Sequence, residues 1–247
     1  MRESLQGASH AGWMLMGVMR PPPKGFRSVN GCGEHNFVAS ALIDQARRKH
    51  RELRVIWYDL KTAVGSVLHD LLWYVLESLG VPSELVGRCQ GIYDDAAFVD
   101  GNTQDGPSAP VSLRVCVFQG CPLSPHLFTA VITPLLLALD RLHAAGVKLS
   151  GDDRLGVCAF ADDLNIFSTS KIGIDQHHKL VTYFLTWTRL EANPSKFRSL
   201  SATRNSRCNL VSQDLRVTLG CETIPSLTLH EAYTYLGIGD GFDHAMS

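Results

Sequence analysis

The most informative segment of this sequence reads Val157-Cys158-Ala159-Phe160-Ala161-Asp162-Asp163-Leu164-Asn165-Ile166-Phe167. Its outer runs, Val157–Phe160 and Leu164–Phe167, are short and apolar, as buried strands are. The residues between them favour a turn, because Asp side chains hydrogen-bond to the nearby backbone. The segment therefore predicts a β-hairpin with two adjacent carboxylates at its tip.

Two adjacent ionised carboxylates repel each other, so the pair is costly unless a cation or solvent compensates. Asp-Asp is also common in ordinary surface turns, which leaves a purely structural interpretation open. A third carboxylate, Asp59, directly follows the buried run Val55-Ile56-Trp57-Tyr58, as at the functional edge of a sheet. Such oxygen donors suit Mg²⁺, which takes one or two carboxylates plus substrate phosphates. Two such ions can clamp the attacking and leaving oxygens of a phosphoryl transfer.

The rest of the chain alternates between helical and extended patterns. Apolar residues keep helical spacing over residues 36–46, 68–79, 83–92, 124–142 and 180–187. Ser124-Pro125 predicts an N-cap followed by proline at the first helical position, and Pro134 predicts a kink. Residues 94–110 predict a loop or hairpin, and Val111–Val117 predicts a strand. The order of elements indicates an α+β fold, with a sheet layered against helices.

Composition excludes several classes of protein. Hydrophobic residues make up 45% of the 247 residues, enough for a real core, so intrinsic disorder is excluded. No apolar run reaches the roughly 20 residues of a membrane span. The seven cysteines are irregularly spaced and no signal peptide is present, which predicts reduced thiols without disulfide partners in an intracellular, non-secreted protein. A formal net charge of −1 means that any nucleic-acid contact needs a local basic patch or bridging metal ions.

One local basic patch is visible. Arg47, Arg48, Lys49 and Arg51 follow the predicted helix that ends near Ala46. Basic residues at a helix C-terminus complement the helix dipole, which is the ordinary interpretation of this cluster. The alternative is a surface that faces nucleic-acid phosphates. The sequence leaves both open.

Two of the motifs resemble those of a known family. Phe160-Ala161-Asp162-Asp163 resembles the Phe/Tyr-x-Asp-Asp box of reverse transcriptases, and Gln119-Gly120-Cys121-Pro122-Leu123-Ser124-Pro125 matches the Gln-Gly-x-Pro-Leu-Ser-Pro box of the non-LTR retrotransposon and group II intron branch. Further matches follow in the family's order: Gly31-Cys32-x-Glu34-His35-Asn36-Phe37, Tyr58-Asp59-Leu60-Lys61, Leu190-x-x-Asn193-x-x-Lys196 and Tyr233-x-Tyr235-Leu236-Gly237. The resemblance is closest to the long-interspersed-element, non-LTR type.

The resemblance implies a right-hand polymerase palm with part of the fingers, built as an antiparallel sheet packed on helices. Residues 24–238 would form this reverse transcriptase domain. Residues 1–23 do not match the family and are expected to be a leader. Residues 239–247 are expected to be a tail that stops short of a thumb.

The implied activity is RNA-directed DNA synthesis, in which dNTPs are added to the 3′ end of a DNA or RNA primer on an RNA template, in the nucleus or cytoplasm. Asp59 and Asp162, with Asp163 beside them, would bind two Mg²⁺ ions, for which Mn²⁺ can substitute. Lys196 matches the family's lysine near the pyrophosphate, a general acid or charge stabiliser. Its ordinary interpretation is a solvated surface lysine.

Five further residues match the family's nucleotide- and template-binding positions: Leu60, Val64, Gln119, Gly120 and Pro122. Gln119 and Gly120 would lie along the nascent base pair, where a glycine permits close approach of the backbone. Val64 stands where relatives usually carry an aromatic gate against the ribose 2′-hydroxyl. Because valine is smaller, the sequence predicts weaker discrimination against ribonucleotides.

The same residues leave two other functions open. The first is a truncated or decayed, non-catalytic protein derived from a retrotransposon, which binds nucleic acid through Arg47–Arg51 and the palm groove. The second is a metal-dependent hydrolase that uses the same carboxylates. The hydrolase offers no account of the Gln119–Pro125 box, so the reverse transcriptase is favoured.

Overall fold

The computed structural model describes residues 31–60, 65–94, 96–99, 106, 108–118, 120–149, 152–160, 162–235 and 238–241, with side chains described between 37 and 231. The described chain divides into two compact units. The first comprises residues 65–134, and the second comprises residues 31–60 and 135–241. The predicted leader 1–23 and most of the predicted tail 239–247 lie outside the described residues.

Five helices are described: α1 Gly31–Arg48, α2 His69–Ser78, α3 Ser83–Tyr93, α4 Ser124–Arg141 and α5 Lys171–Thr188. The described strands are β1 Leu53–Asp59, β2 Ala97–Phe98, β3 Val111–Ser112, β4 Val147–Lys148, β5 Arg154–Leu155, β6 Val157–Phe160, β7 Asp163–Ser168, β8 Arg198–Arg204, β9 Leu210–Ser212, β10 Thr218–Leu219, β11 Glu222–Thr223, β12 Ser226–Leu227, β13 Ala232–Tyr235 and β14 Ile238–Gly241. The mixture of helices with a sheet confirms the predicted α+β class.

The second unit contains a six-stranded sheet. Its strand order is β12-β8-β1-β7-β6, and β9 pairs with β8. Its pairings are antiparallel apart from the parallel β12–β8 pair. The predicted hairpin is confirmed, because β6 pairs with β7 and places Phe160 opposite Asp163. The strand that ends at Asp59 lies between β7 and β8, at the centre of the sheet.

Helices cover both faces of β1. Successive side chains of a strand point to opposite faces. Val55 and Trp57 belong to the core cluster that also contains Leu42 and Ala46 of α1. Tyr58, on the other face, hydrogen-bonds to His178 of α5. The centre of the sheet is thus buried on both sides, which explains why Val55–Tyr58 of β1 is apolar without interruption.

The first unit has its own aromatic cluster. Tyr93 of α3 stacks on Phe118 with ring centroids 4.4 Å apart, and His69 lies edge-on to Tyr93 at 5.0 Å. The Nε2–H of His69 donates to the carbonyl of Cys116 at 2.7 Å. His69 therefore has a structural role in packing α2 against α3.

Two local predictions were wrong. The strand expected over Val111–Val117 covers only Val111–Ser112; beyond it, Val115 forms an isolated bridge with Leu68, and Cys116 has a φ of 90°, outside the extended region. Ser124 is the first residue of α4 and not the N-cap before it, and its hydroxyl donates to the carbonyl of Phe118 at 2.5 Å. The hydroxyl therefore fastens the loop before α4.

Two sequence expectations concern membranes and thiols. Among the described residues, no helix combines the length and apolar character that a bilayer crossing requires. Six cysteines in the described part of the chain are free thiols: Cys89, Cys116, Cys121, Cys158, Cys208 and Cys221.

His177 is a buried titratable residue on the inner face of α5. Its ring covers Gly156, where an added Cβ would lie 2.8 Å from Cε1 of the imidazole. Burial lowers the pKa of His177, and the backbones of Leu142 and Phe167 partly oppose that shift. The imidazole is therefore neutral in the folded protein at neutral pH.

We expect the His177→Leu variant to lose part of the acid sensitivity of folding. The unfolded chain takes up a proton at His177 near pH 6.5, before the folded chain does, so acidification favours unfolding. The free energy of unfolding should therefore fall less steeply between about pH 7 and 5 than in the wild type, by up to about 1.4 kcal/mol per pH unit. Urea titrations at each pH measure it.

The matched control is His143→Leu, because His143 is exposed. This variant should keep the wild-type dependence on pH. Equal slopes in the two variants would show that His177 does not carry the effect. The comparison uses slopes, so a uniform loss of stability in either variant does not obscure the result.

Candidate active site

Three acidic residues lie at one end of the β1–β7 pair. Asp59, the last residue of β1, is directly opposite Asp163, the first residue of β7. Residues directly opposite each other on antiparallel strands point to the same face. The carbonyl of Asp162 accepts a hydrogen bond from the backbone N–H of Leu60 at 3.3 Å. The end of β1 and the hairpin tip are therefore tied together where the acidic residues lie.

The carboxylates influence one another's ionisation. Burial raises the pKa of Asp163 to about 7, and the charges of Asp162 and Asp59 add to the shift, which Lys196 opposes. Burial also raises the pKa of Asp162, and the charge of Asp59 adds to this, while a backbone hydrogen bond and Lys196 oppose it. Full ionisation of the cluster near neutral pH therefore requires a cation close to it.

Lys196 supplies one positive charge at this cluster. Its Nζ lies 3.1 Å from Oδ2 and 3.4 Å from Oδ1 of Asp59. The lysine ends the 3₁₀ turn Pro194–Lys196, and the N–H of Asn193 just before the turn donates to the carbonyl of Asp59 at 3.3 Å. The structure thus brings together Asp59, Asp162, Asp163 and Lys196. Their catalytic roles stay predictions.

Tyr58 and His178 form a hydrogen-bonded pair next to Asp59, and the sequence motifs do not indicate this pairing. The hydroxyl of Tyr58 lies 2.8 Å from Nδ1 of His178, and Nε2 of His178 lies 2.9 Å from the carbonyl of Thr218. Because a carbonyl only accepts, Nε2 carries the proton and Nδ1 accepts from the tyrosine. Tyr58 is held in this way, which positions the end of β1. No local signal indicates the pair, because its members are far apart in sequence.

The predicted nucleotide-binding residues fall in different parts of the structure. Leu60 is buried beside the hairpin tip in the second unit. Gly120 and Pro122 belong to the first unit, and Gly120 has a φ of 81°, a conformation that favours glycine. Val64 and Gln119 lie outside the described residues. Binding roles for all five remain predictions.

The basic cluster lies away from the carboxylates. Arg47 and Arg48 both pair with Asp44 on α1, Arg47 at 3.1 Å, while Lys49 and Arg51 are exposed. The basic cluster precedes the first residue of β1, whereas Asp59 is the last residue of that strand. A strand of this length spans about 20 Å at roughly 3.3 Å per residue, so the structure does not bring the cluster to the acidic residues.

A metal site requires side chains with suitable donor atoms and a suitable arrangement. In the parts of the chain described here, no group of three or more His, Cys, Asp or Glu side chains is arranged so that it could hold a metal ion. The donor chemistry nevertheless suits a hard divalent cation, because the donors are carboxylate oxygens whose ionisation burial disfavours. The chemistry of these donors therefore suits such an ion, while their arrangement in the structure has the ammonium of Lys196, not a metal ion, against Asp59.

Comparison with known families identifies the chain. The family model described as reverse transcriptase (RNA-dependent DNA polymerase) matches residues 12–239. The chain belongs to the reverse transcriptase family. This membership confirms the family that the motifs of the sequence resembled, and it places the chain among the nucleotidyltransferases.

Curated relatives of this reverse transcriptase domain are retrotransposon proteins. It is 23% identical over 219 residues to the Pol polyprotein of a type-1 retrotransposable element R2 from Popillia japonica, covering 89% of this chain and 31% of that protein. It is 27% identical over 224 residues to the type-2 R2DM polyprotein of Drosophila melanogaster, covering 88% and 20%. These matches confirm the non-LTR retrotransposon type. The chain spans less than a third of these relatives.

Solved structures with a similar fold include telomerases. The reverse transcriptase domain matches apo telomerase from Candida tropicalis, truncated from the C-terminal domain, with a TM-score of 0.57 and 10% identity, over 82% of this chain and 41% of that one. It matches Candida albicans telomerase in complex with a fragment of telomeric RNA with a TM-score of 0.56 and 12% identity, over 87% and 39%. At these identities the likeness concerns the fold, and it confirms the predicted polymerase fold.

Proposed function

We propose that this reverse transcriptase domain adds dNTPs to the 3′ end of a DNA or RNA primer that is paired to an RNA template. The observation that carries the proposal is the placement of Asp59 opposite Asp163, with Asp162 beside them, in a chain of this family. Acidic side chains at adjoining strand ends can supply oxygen ligands to a hard cation. A nucleotidyltransferase needs such ligands for phosphoryl transfer.

The three aspartates determine which metal ions would suit the site. Asp59 and Asp162 would be the main ligands, with Asp163 beside them, for two Mg²⁺ ions or for Mn²⁺ in their place. When bound, these ions would lower the pKa of the primer hydroxyl and neutralise charge on the triphosphate and the departing pyrophosphate. Because its pKa is raised to about 7, Asp163 is only partly ionised near neutral pH.

The remaining roles follow from position and chemistry. The 3₁₀ turn holds Lys196 at the cluster, where its ammonium would stabilise negative charge on the triphosphate. The N–H of Leu60 holds the hairpin tip, and so keeps Asp162 in place while the substrate binds. We assign Gln119, Gly120 and Pro122 to the nascent base pair, and Val64 to the sugar gate.

Primer extension with the 247-residue chain tests the proposal. A labelled primer on an RNA template, with Mg²⁺ and all four dNTPs, should give template-dependent products that disappear when the metal is chelated. If the chain binds the primer–template but extends it with neither Mg²⁺ nor Mn²⁺, the polymerase proposal is wrong. That result would leave the nucleic-acid-binding alternative.

We propose that the basic cluster contributes to RNA affinity, separately from the chemistry. Arg47 and Arg48 share Asp44, so the informative change is Lys49→Glu with Arg51→Glu. If both side chains contact phosphates, this variant should bind RNA about tenfold more weakly, and the slope of log K against log salt should fall by about two. Fluorescence anisotropy at several salt concentrations measures both quantities.

The control for the basic cluster is Lys171→Glu with Lys179→Glu, which makes the same change of net charge on α5. Equal losses of affinity in the two double variants would indicate a general charge effect. In that case the cluster would have only its role at the helix C-terminus.

Domain limits and location complete the proposal. We propose residues 24–238 as the reverse transcriptase domain, a range that lies within the residues 12–239 matched by the family model. Because copying an RNA template requires dNTPs, we place the activity inside the cell, in the nucleus or the cytoplasm.

A further inference from the structure

The ammonium of Lys196 contacts the carboxylate oxygens of Asp59 that a bound metal ion would also have to contact. Both carboxylate oxygens of Asp59 lie within hydrogen-bonding distance of Nζ, at 3.1 and 3.4 Å. The charge of Lys196 also lowers the pKa values of Asp162 and Asp163 against the effect of burial. One lysine thus offsets part of the negative charge of all three acidic residues.

The backbone holds this lysine at the cluster. The N–H of Asn193 donates to the carbonyl of Asp59, and the N–H of Lys196 donates back to the carbonyl of Asn193 at 3.0 Å. Phe197, the next residue, is fully buried and lies edge-on to the ring of Tyr58 at 5.0 Å. Tyr58 directly precedes Asp59. The turn is therefore anchored on the same strand end that carries the carboxylate, while the side chain of Lys196 extends from it with 60% exposure.

The ion pair itself is weak enough to exchange. The side chain of Lys196 is 60% exposed and that of Asp59 is 25% exposed. Pairs with this exposure contribute little to stability, because solvent screens them and the long lysine side chain loses conformational freedom. A divalent cation carries twice the charge of the ammonium and prefers carboxylate oxygens. The two cations therefore compete for the same oxygens of Asp59.

We propose that Lys196 is the built-in counter-ion of Asp59 and competes with the divalent cation for this carboxylate. The inference rests on the proposed function, because it takes Asp59 to be a metal ligand. Lys196 holds the acidic cluster together in the metal-free protein, and it leaves Asp59 when the cation binds. The released ammonium stays at the edge of the cluster, because the turn is fixed, and there it faces the incoming triphosphate. Lys196 is thus a positioning residue in the metal-free protein.

Binding of Mn²⁺ tests the competition directly. The electron paramagnetic resonance signal of free Mn²⁺, followed during titration of the full chain, gives a dissociation constant without any polymerase assay. Lys196→Met removes the competing charge, so Mn²⁺ should bind about fivefold more tightly than to the wild type. Lys196→Arg keeps the charge and should leave the affinity close to the wild-type value.

Two controls separate a local effect from a general one. Lys171→Met removes a lysine that pairs with Asp175 at 2.6 Å on α5, and it makes the same change of net charge. It should not change Mn²⁺ affinity. The gain from Lys196→Met should also vanish in a background that carries Asp59→Asn, because the two residues act on the same contact.

The outcomes distinguish the inference from the function on which it rests. If the wild type binds Mn²⁺, Asp59→Asn weakens that binding and Lys196→Met leaves it unchanged, the competition is refuted while the metal site stands. If Asp59→Asn leaves Mn²⁺ binding unchanged, the assignment of the metal ligands fails, and the inference fails with it. A tightening of similar size in Lys171→Met would also refute the inference, because it would show a general charge effect.

Acetylation of Lys196 provides a second measurement. In the metal-free protein the ammonium is held by Asp59, so labelling with acetic anhydride should be slow. Saturating Mg²⁺ should accelerate labelling of Lys196 severalfold, as followed by mass spectrometry of the digested chain, while Lys179, exposed on α5, serves as the internal reference. An unchanged ratio of the two labelling rates would contradict displacement of the lysine.

Discussion

Replacing Asp162 by Asn should lower the rate of primer extension by about 10³-fold or more. The substitution keeps the size of the side chain but removes the charge that we propose holds a divalent cation. The backbone carbonyl of Asp162, which accepts from Leu60, is unaffected, so the fold should be retained. Single-nucleotide incorporation under saturating Mg²⁺ measures the rate, and circular dichroism checks the fold.

The matched control is Asp152→Asn, which makes the same chemical change at an exposed position of the segment between β4 and β5. Its incorporation rate should equal that of the wild type. If Asp162→Asn leaves the observed extension unchanged, either the signal comes from a contaminating polymerase or the carboxylate has been assigned wrongly. Purification of both variants by the same protocol distinguishes these explanations.

Replacing Phe197 by Ala should produce the largest loss of stability among the changes considered, about 3–5 kcal/mol. Phe197 is fully buried, and its ring packs edge-on against Tyr58. Truncation leaves a cavity under the end of β1 and also loosens the turn that carries Lys196. Urea unfolding, followed by tryptophan fluorescence, measures the change in the free energy of unfolding.

Phe98→Ala is the control for this loss, because Phe98 is 58% exposed on β2. Its effect should stay within about 0.5 kcal/mol, as is usual at surface positions. A loss below about 1 kcal/mol in Phe197→Ala would mean that the surrounding residues close the cavity. The anchoring of the Lys196 turn on Tyr58 would then need another explanation.

Local sequence patterns predicted individual helices and strands better than they predicted which distant strands pair with each other. The hairpin around Asp162 and Asp163 was predicted correctly, because two apolar runs on either side of a turn determine it almost completely. The placement of Asp59 opposite Asp163 depends on contacts between distant segments. Only the resemblance to reverse transcriptases indicated that these residues meet. The strand expected over Val111–Val117 was wrong beyond Ser112, and the positive φ of Cys116 has no signature in the residue types.

At the candidate active site, too, sequence motifs identified single residues but not the contacts between them. The motif identified Lys196, but the ion pair with Asp59 depends on a turn held by backbone hydrogen bonds, which side-chain patterns do not reveal. The hydrogen bond between Tyr58 and His178 was missed for a related reason, since a single histidine in an amphipathic helix is an ordinary feature. Sequence therefore indicated which residues to propose for the chemistry, and the structure adds how they are held.

The two ends of β1 carry opposite charges, acidic at Asp59 and basic at Lys49 and Arg51. Their separation of about 20 Å exceeds the Debye length of about 8 Å at physiological ionic strength. Salt ions therefore screen one end from the other, and their contributions to binding should be nearly additive. Substitutions in the proposed polyanion-binding cluster should therefore leave the metal affinity of the proposed acidic site unaltered.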